Sequence, residues 1–265
     1  MLQTVNPALL GVFAAAAVFL GILGFLTIGR VIGRRAIRLH GSAGLASTGS
    51  LEAAVFALLG LLIAFTFSGA LSRFDARRAL VVDEANAIGT AYLRIDVLPV
   101  AAQPRMREAF RNYTDARIAT YKKLPDLDAA GEELARSLQL QGEIWSQAVA
   151  ATRGPESRPG TEMLVMPPLN EMFDIATVRV TAAQMHPPTI VFAMLIALAL
   201  ASALLAGYQS ADDKGKVRNG LHKVGFAAII AFTVYVITDI EYPRLGWIRI
   251  DAIDQVLINV RASMK

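Results

Sequence analysis

Residues 65–94, FTFSGALSRFDARRALVVDEANAIGTAYLR, begin as membrane sequence and end as charged sequence, with no proline and only Gly69 and Gly89 to interrupt them. The residues leading in, 53–71, carry no charge. An apolar helix of this kind crosses the roughly 30 Å of bilayer hydrocarbon. Beyond it, Val81, Ala85, Ile88, Tyr92 and Ile95 recur at spacings of 4, 3, 4 and 3. That is the period of a helix with one packed face. One helix is therefore expected to leave the bilayer and run on to about Asp96, ending near Pro99.

Three more segments are apolar enough to span: 7–29, 189–208 and the shorter 224–237. The first lacks a positive leader and is followed by arginines, so it reads as a retained span and not as a signal peptide. Composition agrees, with 54% hydrophobic residues and a mean hydropathy of +0.46. A net charge of +4 suits contact with anionic lipid head groups. The basic residues sit at membrane edges without a nucleic-acid-binding motif, so no nucleic-acid partner is expected. No cysteine occurs, which excludes disulfides, thiolate metal sites and cysteine nucleophiles.

The sequence between the second and third spans reads as helices throughout. One starts near Pro104, a favoured first-turn residue, and runs past Met106, Phe110, Tyr113 and Ile118 to about Lys123. LPDLD breaks it. A second covers 129–153, with Leu134, Leu138 and Trp145 expected on its buried side. RGPESRPG, 153–160, is a loop. A third covers 166–185 with Leu169, Met172, Ile175 and Val178, and Pro187–Pro188 then breaks the chain before the third span. The expected organisation is 1–71, two spans joined by a basic loop; 72–188, a helical extramembrane domain; 189–240, two further spans; and 241–265, an interfacial C-terminal segment. The fold class is an all-α membrane protein with four transmembrane helices and a helical bundle inserted between spans two and three.

Arg30, Arg34, Arg35 and Arg38 are assigned to the loop after span one, and Lys214, Lys216, Arg218 and Lys223 to the loop after span three. Short basic loops face the cytoplasm, which puts the helical domain outside.

Candidate functional residues gather on span two. Ala57, Leu61, Phe65 and Ser68 share one helical face, and Gly69 and Ala70 permit close helix approach. Arg73, Asp75, Arg77 and Arg78 follow at the interface, where Asp75 and Arg78 are three apart and can pair. Asp83 and Glu84 offer acceptors to a neighbouring helix or subunit. After the last span, Asp239 and Glu241 can pair with Arg244 or with the Arg73 cluster, while Tyr242 and Trp247 suit the interface. Residues 253–260 read as one more short helix. The charges on span two read either as a solvated helix entering the head groups or as a ring of charge at the mouth of an oligomeric pore.

Enzymatic readings find no support. His40, His186 and His222 are scattered at separate membrane edges without metal-ligand spacing, and neither a nucleophile elbow nor a phosphate-cradling glycine motif occurs. No catalytic residue, metal or cofactor is expected.

The second span also resembles the second helix of bestrophins, pentameric anion channels: an aromatic in the membrane (Phe65), a small stretch (SGALS), then Arg73–Phe74 and a charged helix (DARRALVV). The similarity is greater to an uncharacterised group of bestrophin-like bacterial membrane proteins. It is carried by RFDARRALVVDEANAIGTAYLR, PPLNEMFDIATVRV and EYPRLGWIRID and covers nearly the whole chain. The resemblance implies a multi-pass protein of the bacterial inner membrane, surrounded by lipid and assembled as a homo-oligomer, a pentamer by analogy. It implies a hydrophobic neck at Ala57, Leu61 and Phe65, with Ala57 smaller than the bulky residue bestrophins use there. It implies small anions as permeants. On the residues alone, Arg73, Arg77 and Arg78 are the pore-mouth charges, and Asp75, Asp83, Glu84, Asp239, Glu241 and Arg244 are the pairing residues. The resemblance also places the helical domain in the cytoplasm, against the loop-charge reading. The acidic calcium clamp of animal bestrophins is absent. The alternative function is a non-conducting scaffold or sensor whose helical domain binds a partner or ligand.

Overall fold

The computed structural model describes the backbone of residues 7–40, 49–212 and 216–265, and the side chains of 11–39, 49–211 and 220–265. Every regular element among these is helical: α1 (Pro7–His40), α2 (Gly49–Leu93), α3 (Gln103–Lys122), α4 (Leu127–Arg153), α5 (Thr161–Gln184), α6 (Thr189–Gln209), α7 (Lys216–Glu241) and α8 (Gln255–Ser263), with short 3₁₀ turns after α2 and α6 and before α8. α1, α2, α6 and α7 carry the four stretches long and apolar enough to cross a membrane.

The chain divides into two compact units, and the division falls inside α2 between Arg73 and Phe74. α2 itself is a single helix of 45 residues. At about 1.5 Å per residue it is about 67 Å long, more than twice the hydrocarbon thickness.

The first unit comprises residues 1–73 and 186–242. Its core is the packing of α1 against α6 and α7, in which Ile22, Leu26, Leu195, Ala199, Ala203 and Ala227 are buried. Glycines set the closest approach. A Cβ on Gly29 would lie 2.0 Å from the Leu204 carbonyl oxygen, and one on Gly207 would lie 2.2 Å from that of Leu26. Two backbones meet here with no room for a methyl group, the small-residue packing that apolar helices use where no hydrophobic force drives them together. The membrane half of α2 is the least buried of these segments, at 11% of its most apolar window against 39% for α7. Its anchors are Leu59 and Ala70, both buried, and an edge-on contact between Phe56 and Phe226 of α7 at 5.6 Å.

The second unit comprises residues 74–185 and 243–265. Val81, Ala85, Ile88, Tyr92 and Ile95 of α2 and its 3₁₀ extension are all buried. Around Ala85, Ile88, Tyr92 and Ile95 pack Met106, Phe110 and Tyr113 of α3, Leu140, Ile144 and Ala148 of α4, and Val165, Leu169 and Met172 of α5. Asp126 caps α4 by accepting from the Ala129 amide at 3.0 Å. Gly160, at φ +85°, supplies the left-handed residue that starts α5.

Several expectations need correction. The buried side of α4 is the Ala130, Ser137, Leu140, Ile144, Ala148 stripe; Leu138 and Trp145 are exposed, each one position off it. On α5 the buried positions are Thr161, Val165, Leu169, Met172, Ala176 and Arg179, while Val178 is exposed, and the helix starts at Thr161, ahead of Pro167 and Pro168. Arg30, Arg34, Arg35 and Arg38 are not in a loop: α1 continues through them to His40, since nothing in that sequence breaks a helix. Residues 243–265 group with the second unit, where Leu257 and Met264 enter the core. The His40, Lys214, Lys216 and Arg218 side chains lie outside the described residues.

The glycine contact generates a prediction. Gly207→Ala is expected to cost about 1–3 kcal/mol through forced backbone separation, read as a lower melting temperature in detergent. Gly60→Ala, on an open part of α2 with nothing within 4 Å, is expected to melt like the wild type. Equal melting of both variants would contradict the close α1–α6 packing.

Candidate functional site

α2 carries most of the candidate residues in order along one helix. Ala57, Leu61, Phe65 and Ser68 lie on a face that the chain leaves uncovered, with Leu61 52% and Phe65 68% exposed. Phe65 also forms one wall of a pocket of about 190 Å³ within the first unit. Leu62 lies beside it, Val191 and Phe192 of α6 and Ile237 of α7 face it, and Arg73 and Glu241 close one end.

Arg73 holds Glu241 with three short contacts: Nε donates to Oε1 at 2.9 Å and to Oε2 at 3.1 Å, and Nη2 donates to Oε2 at 3.0 Å. Glu241 is fully buried. His186 Nδ1 also stands 3.3 Å from its Oε1, and the His186 ring lies against that of Tyr242, centroids 4.4 Å apart. Asp239, buried on α7, accepts from the Tyr235 hydroxyl at 3.3 Å.

The other interfacial charges lie in the second unit. Arg77 is buried, and its guanidinium donates to the carbonyls of Ala182, at 3.1 Å, and Met185, at 2.7 Å, at the end of α5. A cation at a helix C-terminus satisfies orphan carbonyls and the negative end of the helix dipole. Arg78 donates to Asp75 at 3.3 Å, and both are exposed. Asp83 is exposed, whereas Glu84, one residue on, is wholly buried.

Glu84 begins a chain of alternating charge. Its Oε1 accepts from Arg117 Nε and its Oε2 from Arg179 Nη1, each at 2.5 Å. Arg179 Nη2 donates on to Asp254 Oδ1 at 3.1 Å. Arg244 grips Asp254 through Nη1 at 2.6 Å and Nη2 at 2.8 Å, and reaches Asp251 at 3.2 Å. Three of these guanidiniums share one aromatic ring: the Arg179, Arg244 and Arg117 carbons lie 3.7, 4.7 and 5.5 Å from the Tyr121 centroid. The network thus joins α2, α3, α5 and the C-terminal segment. Burial pushes the Glu84 carboxyl up, but Arg117 and Arg179 outweigh burial and hold it below its ordinary 4.5. Burial likewise works against the Arg117 charge, and Glu84 more than restores it. Tyr113, buried beside them, is raised to about 12, chiefly by burial.

Arg244 therefore binds Asp251 and Asp254, and Arg73 takes Glu241. Arg117, Arg179, Asp254 and Tyr121 were missed by sequence reasoning, although a signal existed. Arg117 continues the Met106, Phe110, Tyr113 stripe, and Arg179 continues Leu169, Met172, Ala176; a charged residue on an apolar stripe needs a buried partner. Glu84 lies three residues after Val81 and four before Ile88, on the same kind of stripe.

Comparison with known proteins gives a consistent picture. The family profile described as Bestrophin-like domain matches residues 15–252. No curated protein matches the chain. Among solved structures, a bacterial bestrophin homolog from Klebsiella pneumoniae carrying a tryptophan-to-alanine mutation superposes with a TM-score of 0.67 at 13% identity, covering 94% of this chain and 98% of that one. A second crystal structure of a bestrophin homolog from that organism gives a TM-score of 0.65 at 14% identity, covering 92% and 98%. At such identity the match shows the fold.

Glu84→Gln leaves two buried guanidiniums facing a neutral amide, so a loss of about 3–5 kcal/mol is expected; Asp75→Asn, at an exposed pair, is expected to cost less than about 1 kcal/mol. Because the folded Glu84 carboxyl is depressed, its stabilisation is complete above the ordinary 4.5 and disappears as pH falls below it. Melting temperature against pH should therefore fall less steeply below pH 4.5 in Glu84→Gln than in the wild type. Parallel curves would remove Glu84 from the acid response.

Proposed function

The chain belongs to the bestrophin-like family, and from that premise we propose that it is a homo-oligomeric membrane channel, permeable to small anions, whose pore runs along α2. The observation that carries the reading is the uncovered face of α2. Ala57, Leu61 and Phe65 lie along a span that its own chain scarcely packs, and the resemblance to bestrophins assigns a hydrophobic neck to them. Copies of α2 arranged around an axis would turn that face inward. Phe65 and Leu61 then form the constriction, which closes by excluding water, and Ala57 leaves one ring wider. The helical unit from α2 to α5 stands outside the hydrocarbon on this reading, grown from the ends of spans two and three in a bacterial inner membrane. The pentamer is carried over from bestrophins, as is the cytoplasmic side for the helical unit. The proposal is non-enzymatic and requires no cofactor.

One observation favours the second reading, a non-conducting scaffold or sensor. Arg73, Arg77 and Arg78 each engage acceptors within the chain. A mouth whose arginines are all engaged offers less positive field to a permeant anion than a ring of free ones.

Chloride flux from liposomes separates the two. Wild-type protein is expected to pass chloride, and Phe65→Ala to pass several-fold more, because a smaller ring stays wet. Absence of flux from both, with insertion established by protease protection, contradicts the channel and leaves the scaffold.

A further inference from the structure

The pocket beside Phe65 is a cavity to which neither reading assigns a ligand. Its walls are mostly apolar side chains of three membrane-crossing helices, with Thr66 among them, and its end is the Arg73–Glu241 pair. Arg73 spends only Nε and part of Nη2 on Glu241; no acceptor for Nη1 exists among the described residues. An arginine carries five N–H donors in a planar fork, so several remain unsatisfied. The head is also turned back along the helix: a Cβ on Gly69 would lie 3.4 Å from Nη1 and 3.6 Å from Nη2. Gly69 and Arg73 both line the pocket, so the guanidinium edge beside Gly69 borders it. The side chain is 34% exposed, so it is reachable. An unpaired donor beside hydrocarbon is costly, and an oxyanion is the acceptor that satisfies a guanidinium best.

From this geometry we infer that the pocket binds an anionic amphiphile, one acyl segment lying between α2, α6 and α7 with its carboxylate or phosphate head on Arg73 Nη1. Size supports a chain segment over a compact ligand: about 190 Å³ is below the roughly 300–1,000 Å³ of pockets that enclose drug-sized molecules. Charge supports an acid over a neutral lipid. Arg73 presents donors only, and the carboxylate of Glu241 is already gripped by the same guanidinium and approached by His186. The inference does not rest on conduction and stands equally for a scaffold.

The test uses purified, delipidated oligomer and stearic acid spin-labelled near its methyl end, followed by electron paramagnetic resonance. A motionally restricted component saturating near one per chain is expected. The methyl ester of the same probe should bind at least tenfold more weakly. Val191→Trp, which fills the pocket without touching Arg73, should abolish the component. Arg73→Lys keeps a cation for Glu241 but loses the fork, and should weaken binding of the acid about tenfold while binding of the methyl ester stays as in the wild type. Displacement by dioleoylphosphatidylglycerol would assign the head to a lipid phosphate; displacement by oleate alone would assign it to a fatty carboxylate. The inference is overturned if acid and ester bind alike, or if Val191→Trp binds as the wild type does. It is equally overturned if Val191→Cys forms a disulfide between two copies while no probe is immobilised, because a neighbouring subunit then fills the pocket.

Discussion

A helix in hydrocarbon has no water to turn to, so each of its backbone amides and carbonyls must be closed within the helix itself. α2 meets that condition from Gly49 to Leu93 without interruption. Its sequence contains no proline, and a helix once nucleated propagates at little cost per residue. The same rod is therefore an apolar span at Phe65 and the packed spine of the helical unit at Ile88. Whatever happens at Ala57, Leu61 and Phe65 is covalently continuous with the charged cluster around Glu84.

The arginines on that rod show how position along one helix changes the job of one residue type. Arg73 closes on a buried carboxylate, Arg77 caps the end of α5, and Arg78 stays exposed beside Asp75. The buried network beyond them is a matter of specificity more than of stability. Two guanidiniums taken out of water around Glu84 are expensive, and their attraction to it mostly offsets that expense. What the arrangement does achieve is register. In the observed placement α2, α3, α5 and the C-terminal segment satisfy Glu84, Asp254 and three arginines together.

Much of this was legible in the sequence. Uncharged runs mark the spans, and the 4-3-4-3 recurrence from Val81 to Ile95 marks the continuation of α2. Turn chemistry at LPDLD and RGPESRPG sets helix ends to within a few residues. Three kinds of information were not legible. On α4, Leu138 and Trp145 compete with Leu140 and Ile144 for the buried side, and apolarity alone does not choose between adjacent stripes. The arginines after residue 29 looked like a loop because charge ends a span, but it does not end a helix. The close approach at Gly29 and Gly207 depends on which two helices meet, and a single sequence does not say so. The charged residues on the seams were visible, but their partners lie 33 and 95 positions apart in the chain, and only the fold brings them together.

The account as a whole depends on where α2 lies in the assembled protein. The direct measurement is an electron cryomicroscopy map of the oligomer in a lipid nanodisc, viewed along the membrane normal. The account predicts α2 of every copy around the central axis, straight through Ser72, with Phe65 nearest that axis. A map with α2 on the lipid-facing rim, or with its helix broken near Ser72, would contradict it.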